Sequence, residues 1–240
     1  ASRAWCWKMT ERQAFPAGFL DTAGLNRQFV FDLADLPAEV LATLAPQAGE
    51  RQLILFGHAG RRLWECVQAA GIGGKDPIDD YSIRTVQHWF AAHLTKQRYR
   101  LLFPGEGRIG LQALGNLAGW HQPSPIMVGV DREWGSWYAY RAVAIADTRF
   151  PPSVPLDDRS PCPSCATPPC IGTCPAGALA GGHFDLDACS RYRLQAASAC
   201  AHGCLARQAC PVGTEHRYTP EQITHSYSRS LAVIRRYYGA

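Results

Sequence analysis

CPSCATPPCIGTCPAGALAGGHFDLDACSRYRLQAASACAHGCLARQACP, residues 162 to 211, holds eight of the ten cysteines in the chain. They are Cys162, Cys165, Cys170, Cys174, Cys189, Cys200, Cys204 and Cys210, and two of them run directly into proline, at Cys174–Pro175 and Cys210–Pro211. Thiolates are soft ligands, and one thiolate completes the coordination of each iron in a four-iron cluster. Eight are the number that two such clusters need. Short spacings put several sulfurs on one tight loop, and each Cys-Pro ends a loop. Two other readings compete. Zinc prefers paired C-x2-C knuckles, and this stretch has one such pair, Cys162 and Cys165. Disulfides suit small, core-poor secreted domains, whereas this chain has 240 residues and is 47% apolar.

That composition allows one large domain and a small one. The net charge of +4 comes without any Lys/Arg run, so charge gives no case for nucleic acid, and no such partner is expected. No apolar stretch reaches the length of a membrane span. The opening residues ASRAWCWKMTERQ lack the apolar segment of a signal peptide. With the thiol-rich stretch, this points to a reducing cytoplasm. Cys6 reads as a buried, incidental thiol.

Upstream, Phe29–Phe31 reads as a strand, and a short helix follows Asp35 as N-cap with Pro37 in its first turn. Leu53 to Phe56 is a continuous apolar run, as in a strand buried on both faces, and a helix from 61 to 70 follows it. Strand, turn and helix give an α/β rhythm. The glycines near Gly73 do not have the G-x-G-x-x-G spacing of a dinucleotide site. Ser82 is placed to cap a helix with Ile83, Val86, Phe90 and Leu94 on one face. Strands are expected at 98–103, 125–130 and 135–145, with a helix over 108–118. Tyr138 and Tyr140 share one face of the last strand. Seven prolines between 151 and 169 forbid regular structure there. A final helix starts at Thr219-Pro220 and carries the apolar stripe Ile223, Tyr227, Leu231 and Ile234. The expected organisation is a front domain over 1–150, a linker over 151–161, a thiol-rich module over 162–215 and a helix over 216–240 that packs back.

The cysteine stretch resembles a two-cluster bacterial ferredoxin module over about residues 160 to 212. In that family the fourth cysteine of each run ligates the opposite cluster. The resemblance thus implies Cys162, Cys165, Cys170 and Cys210 on one [4Fe-4S] cluster and Cys174, Cys189, Cys200 and Cys204 on the other. The sequence departs from the family run in spacing, with two extra residues between Cys165 and Cys170. In the front domain, ILFGHAGRRLWECVQAAG, DPIDDYS and EWGSWYAYRAVAIAD resemble CblC-type cobalamin-processing proteins. AGWHQPSPIMVGVDREWGSW also resembles epoxyqueuosine reductases and their reductive dehalogenase relatives, which join a cobalamin domain to a two-cluster module in this order. These resemblances imply an α/β (α+β) chain with a nitroreductase-like, cobalamin-binding domain. Epoxyqueuosine reductases carry a catalytic acid in a Val-Asp-Thr-x-Pro segment. The matching stretch here, Leu101-Leu102-Phe103-Pro104-Gly105, has none.

A corrinoid is a broad apolar disc with amide edges, and its pocket needs aromatic surface and close backbone. Gly119, Trp120, Gly135, Ser136, Trp137 and Arg141 are the candidates, with core packing the other reading of both tryptophans. Asp76 and Asp79 are candidates for its edge or for a helix start. His121 is the one candidate ligand to cobalt. The implied activity is an oxidoreductase fed by an external donor (ferredoxin, flavodoxin or reductase), and three forms of it stand open. In the first, the corrinoid is itself reduced and stripped of its upper ligand. In the second, it serves reduction of an organic substrate. In the third, the chain is an electron carrier whose front domain binds a partner or a flavin such as FMN.

Overall fold

The computed structural model describes residues 13–105, 107, 109–156 and 159–239. Cys6 lies outside them. The front of the chain builds one four-stranded sheet in the order β1-β2-β4-β3. The strands are β1 (Arg27–Asp32), β2 (Gln52–Ala59), β3 (Tyr99–Phe103) and β4 (Tyr138–Ala146). Every neighbouring pair is antiparallel. The strand–helix rhythm therefore belongs to a mixed α and β fold with an antiparallel sheet, not to parallel crossover units.

All eight residues of β2 are buried, because helices cover both faces of the sheet. Alternation then sorts the side chains. Ile54, Phe56, Ala142, Ala144 and Ala146 face one core, with Trp89 and Phe90. Leu53, Leu55, Val143 and Ile145 face the other, with Leu44, Leu114 and Trp120. The first core lies under α1 (Ala17–Thr22), α3 (Arg62–Ala69) and α4 (Pro77–His93). The second lies under α2 (Ala38–Leu44) and α5 (Leu111–Leu117). Three alanines on β4 leave room for Trp89, which is fully buried against Phe56 and Phe150.

Three local expectations change. Helix α4 starts at Pro77, so Ser82 lies inside it, where its hydroxyl donates to Ile78 O at 2.7 Å. Pro37, not Asp35, sits at the start of α2, and Asp35 belongs to the preceding 3-10 turn. Residues 125–130 form a turn instead of a strand, with Met127 at φ 61° and a single bridge between Gln122 and Val130. The proline-rich stretch runs along the outer edge of β1, where Ser153 exchanges two hydrogen bonds with Val30. Beyond it come α6 (Pro169–Thr173), α7 (Leu186–Leu194), α8 (Leu205–Gln208) and α9 (Pro220–Tyr238). Thr219 caps α9 by accepting from Gln222 N.

Candidate metal centre and its seam with the sheet

The eight cysteines sit on turns and short helices that position sulfur rather than bury apolar surface. Cys162 opens a 3-10 turn, Cys170 lies in α6, and Cys189 lies in α7, which Asp185 caps by accepting from Ala188 N at 2.9 Å. Cys204 stands at the N-cap of α8, its sulfur accepting from Arg207 N at 3.4 Å. The thiols divide by neighbourhood. Cys170 feels the charges of Cys210, Cys162 and Cys165. Cys189 feels those of Cys204, Cys174 and Cys200. Burial, reinforced by these neighbours, pushes the Cys189 thiol up to about 11. Burial also raises Cys162, Cys170 and Cys200. Gathered thiolates repel one another unless a cation neutralises them.

Cys174, Cys189, Cys200 and Cys204 line one cavity of about 350 Å³, together with Ile126, Val128, Leu179, Phe184 and Tyr227. Arg193 braces it. This side chain is 7% exposed and donates to Cys200 O at 3.1 Å, Ser230 Oγ at 3.0 Å and Tyr227 O at 2.9 Å. Among the described residues, no three of His, Cys, Asp and Glu stand close enough to share one metal ion. All nine described cysteines are free thiols.

The seven residues named for a corrinoid each have close protein neighbours. Trp120 is 4% exposed; it lies flat against Tyr140, under the Arg27 guanidinium at 4.5 Å. Gly119, at φ 73°, has Leu156 O where a Cβ would stand, so the proline-rich stretch seals it. His121 is half-buried beside Gly129, its pKa lowered by burial. Gly135 has φ 57° and would place a Cβ 2.1 Å from Val212 O. Ser136 accepts from Arg207 at its hydroxyl and at its carbonyl. Trp137 is fully buried, with Arg207 over its ring at 4.5 Å. Gly135, Ser136 and Trp137 thus form the seam that joins the sheet to the thiol-rich region.

Arg141 is the extra residue of a β-bulge. Phe56 pairs with Ala142 and Gly57 with Tyr140, which leaves Arg141 unpaired and turned inward. Its Nε donates to His58 Nδ1 at 2.9 Å, and its guanidinium stands 3.9 Å from Asp79. Asp76 pairs with Arg229 of α9. His58, 1% exposed, is held well below its usual pKa by burial and by the charges of Arg141 and Arg207. Its other nitrogen meets the Tyr218 hydroxyl at 2.9 Å. Neither His58 nor Tyr218 stands out in the sequence. The one hint is a polar side chain closing the apolar run of β2.

These features define a small antiparallel sheet, covered by helices, with a thiol-rich region docked on its end. No protein-family model matches the chain, and no curated protein matches it either. Among solved structures, the chain is similar to an epoxyqueuosine reductase in complex with an epoxyqueuosine-modified tRNA-Tyr stem loop, with TM-score 0.51 and 14% identity over 86% of this chain. It is similar also to the epoxyqueuosine reductase of Bacillus subtilis, with TM-score 0.50 and 15% identity over 84% of this chain. The chain spans 66% of the length of each. At this identity the likeness is one of fold. No helix among the described residues is long and apolar enough to cross a membrane.

Proposed function

We propose that this chain is the core of an iron–sulfur reductase of the epoxyqueuosine reductase kind, acting on an organic substrate. One [4Fe-4S] cluster is held by Cys162, Cys165, Cys170 and Cys210, and a second by Cys174, Cys189, Cys200 and Cys204. The observation that carries this is the division of eight thiols into two neighbourhoods of four, the second around its own cavity. A cluster puts each thiolate on a different iron, so its ligands need not crowd as they do around a single ion. When bound, such clusters supply one-electron transfer from an external donor. The chain's own residues hold the sulfurs apart, line the second site with Ile126 and Tyr227, tie the region to α9 through Arg193 and fix it against the end of the sheet through Arg207.

Four of the seven residues named for the corrinoid leave it no surface. Trp120 and Trp137 are interior, and Gly119 and Gly135 are sealed by Leu156 and Val212. No contacts to a corrinoid or to FMN are assigned. The reading as a CblC-type cobalamin processor has no counterpart among the structural neighbours named. The modest charge is also no ground for excluding nucleic acid, since one neighbour is in complex with a tRNA stem loop.

The test is anaerobic reconstitution of the full chain, followed by iron analysis. Wild type should take up about eight irons, and a Cys189→Ala variant should retain about four. A wild-type value below about four would sink the two-cluster assignment. The epoxyqueuosine-modified tRNA-Tyr stem loop is the first substrate to assay with the reduced protein.

A further inference from the structure

The hydrogen bonds around His58 fix a tautomer. A guanidinium only donates. Arg141 Nε therefore gives its proton to His58 Nδ1, which must carry the lone pair. A buried, neutral imidazole then has its proton on Nε2 and donates it to the Tyr218 oxygen. The phenol accepts this bond, so its own O–H is left over. Its other side-chain partner is Arg207, and a guanidinium can only donate, so among the described residues the phenol's own proton has no acceptor.

Other buried polar atoms nearby are also unmet. Trp137 packs edge-on against Tyr218 at 5.3 Å, and its indole Nε1 has no partner among the described residues. Arg217 lies over the Trp137 ring at 5.8 Å, and its Nε has none. Gln222 is 2% exposed and adjoins Ile223, which packs with Trp137 and Tyr218; its Oε1 has none. Unmet buried polar atoms call for an explanation, which can be stored strain, a catalytic role, or a water or ion. Tyr218 also lines a cleft of about 630 Å³ between the thiol-rich region and the start of α9, bordered by Arg61, His202, Gln208 and Arg217. That lining mixes apolar surface with hydrogen-bonding side chains, which suits a substrate carrying both kinds of group.

We infer that the cleft is the substrate site and that Tyr218 is the proton donor to the oxygen leaving the substrate, with His58 and Arg141 as positioning residues. The inference rests on the reductase reading above. For an epoxide, both C–O bonds break and an alkene forms. Two electrons arrive from the external one-electron donor. One proton comes from the Tyr218 hydroxyl and the second from solvent, and the oxygen departs as water. His58 Nε2–H already points at the oxygen that becomes phenolate, and the Arg207 guanidinium lies 5.3 Å from the ring. Solvent then returns the proton. Burial raises the phenol's pKa above its usual value despite the charges of Arg207 and Arg141, which keeps it protonated until it is needed.

The experiment uses the reconstituted full chain with Cζ-¹³C-labelled tyrosine and the epoxyqueuosine-modified tRNA-Tyr stem loop. Tyr218→Phe identifies the Tyr218 resonance by its loss. Adding the stem loop to the oxidised protein, where no turnover occurs, should move that resonance; an unmoved resonance overturns the inference. In a single turnover of reduced protein, Tyr218→Phe should slow conversion by about 10²–10⁴-fold, with stem-loop affinity and iron content unchanged. Conversion at the wild-type rate overturns it. His58→Gln keeps an N–H for the phenol and an oxygen for Arg141, and should convert at least about tenfold faster than His58→Leu; equal rates overturn the positioning role. A moved resonance in a wild type that converts nothing would leave the donor contact standing and remove the reductase reading.

Discussion

From Gln52 to Ala59 the chain offers no exposed residue. From Cys162 to Arg217, by contrast, the buried apolar residues are Ala178, Leu179, Cys200 and Ala206. The first region has enough hydrocarbon around it to hold the sheet together, with Phe56 fully buried in it and Trp89 and Phe90 of α4 buried against it. The second has short helices of five, nine and four residues. Its order comes from polar clamps such as Arg193 and from contact with its neighbours. The difference teaches where a bound cluster would matter for stability. Ligand binding stabilises what lacks a core of its own, and here that is the cysteine region alone.

Stripping iron from the reconstituted protein is the harshest way to test that contrast. Amides of residues 162–217 should lose protection from hydrogen exchange by about 10³-fold, equal to about 4 kcal/mol. Amides of β2 and β4 should keep theirs. Equal losses in both regions would mean that the sheet depends on the clusters as well, and the contrast would fail.

The seam between the regions is the next place to press. At Gly135, a left-handed backbone and a neighbouring carbonyl leave no room for a side chain: a Cβ would sit 2.1 Å from Val212 O. Gly213 faces it, and its own Cβ would meet Gly135 N at 2.6 Å. Gly135→Ala should therefore cost about 3 kcal/mol, from overpacking plus the left-handed conformation, measured by denaturant unfolding of the loaded protein. The loss should open the seam and leave the Trp89 fluorescence environment native. A neutral substitution would show that the two regions do not need this close approach.

Legibility followed the same divide. The strands at Phe29–Phe31 and Leu53–Phe56 were plain in sequence, because burial on one or both faces writes itself into apolar residues; the strand expected over 135–145 starts at Tyr138, since Gly135 to Trp137 form the seam. The antiparallel order was not, since pairing joins residues far apart in the chain. Residues 125–130 misled for a physical reason: Ile126 and Val128 line the cysteine cavity and do not lie in a sheet. Trp120 and Trp137 drew notice as aromatic surface, yet packing against Tyr140 and Tyr218 uses both. The Arg141 bulge and the His58–Tyr218 pair depend on register and on a contact across 160 positions, which no local pattern records. The thiols were legible in number, because ligand count is a property of composition.

The smallest effect lies farthest from the seam. Glu50 sits just before β2 and receives two bonds from Arg100, at 2.6 and 3.0 Å. The hydrogen bond from Arg100 holds its carboxyl below the usual range. A carboxylate with a depressed pKa in the folded state stabilises above its unfolded pKa of about 4.3 and loses that contribution as pH falls through the folded value. Both side chains are partly open to solvent, at 12% and 31%, so the pair is worth less than about 1 kcal/mol. Glu50→Gln should accordingly lower stability by that amount at neutral pH and converge on wild type as pH falls below the folded-state value, read from urea midpoints across pH. The shift should appear in the unfolding of the sheet and leave hydrogen exchange in residues 162–217 unchanged. A matching change in the cysteine region would show that the two halves unfold as one cooperative unit, joined more firmly than their separate means of support require.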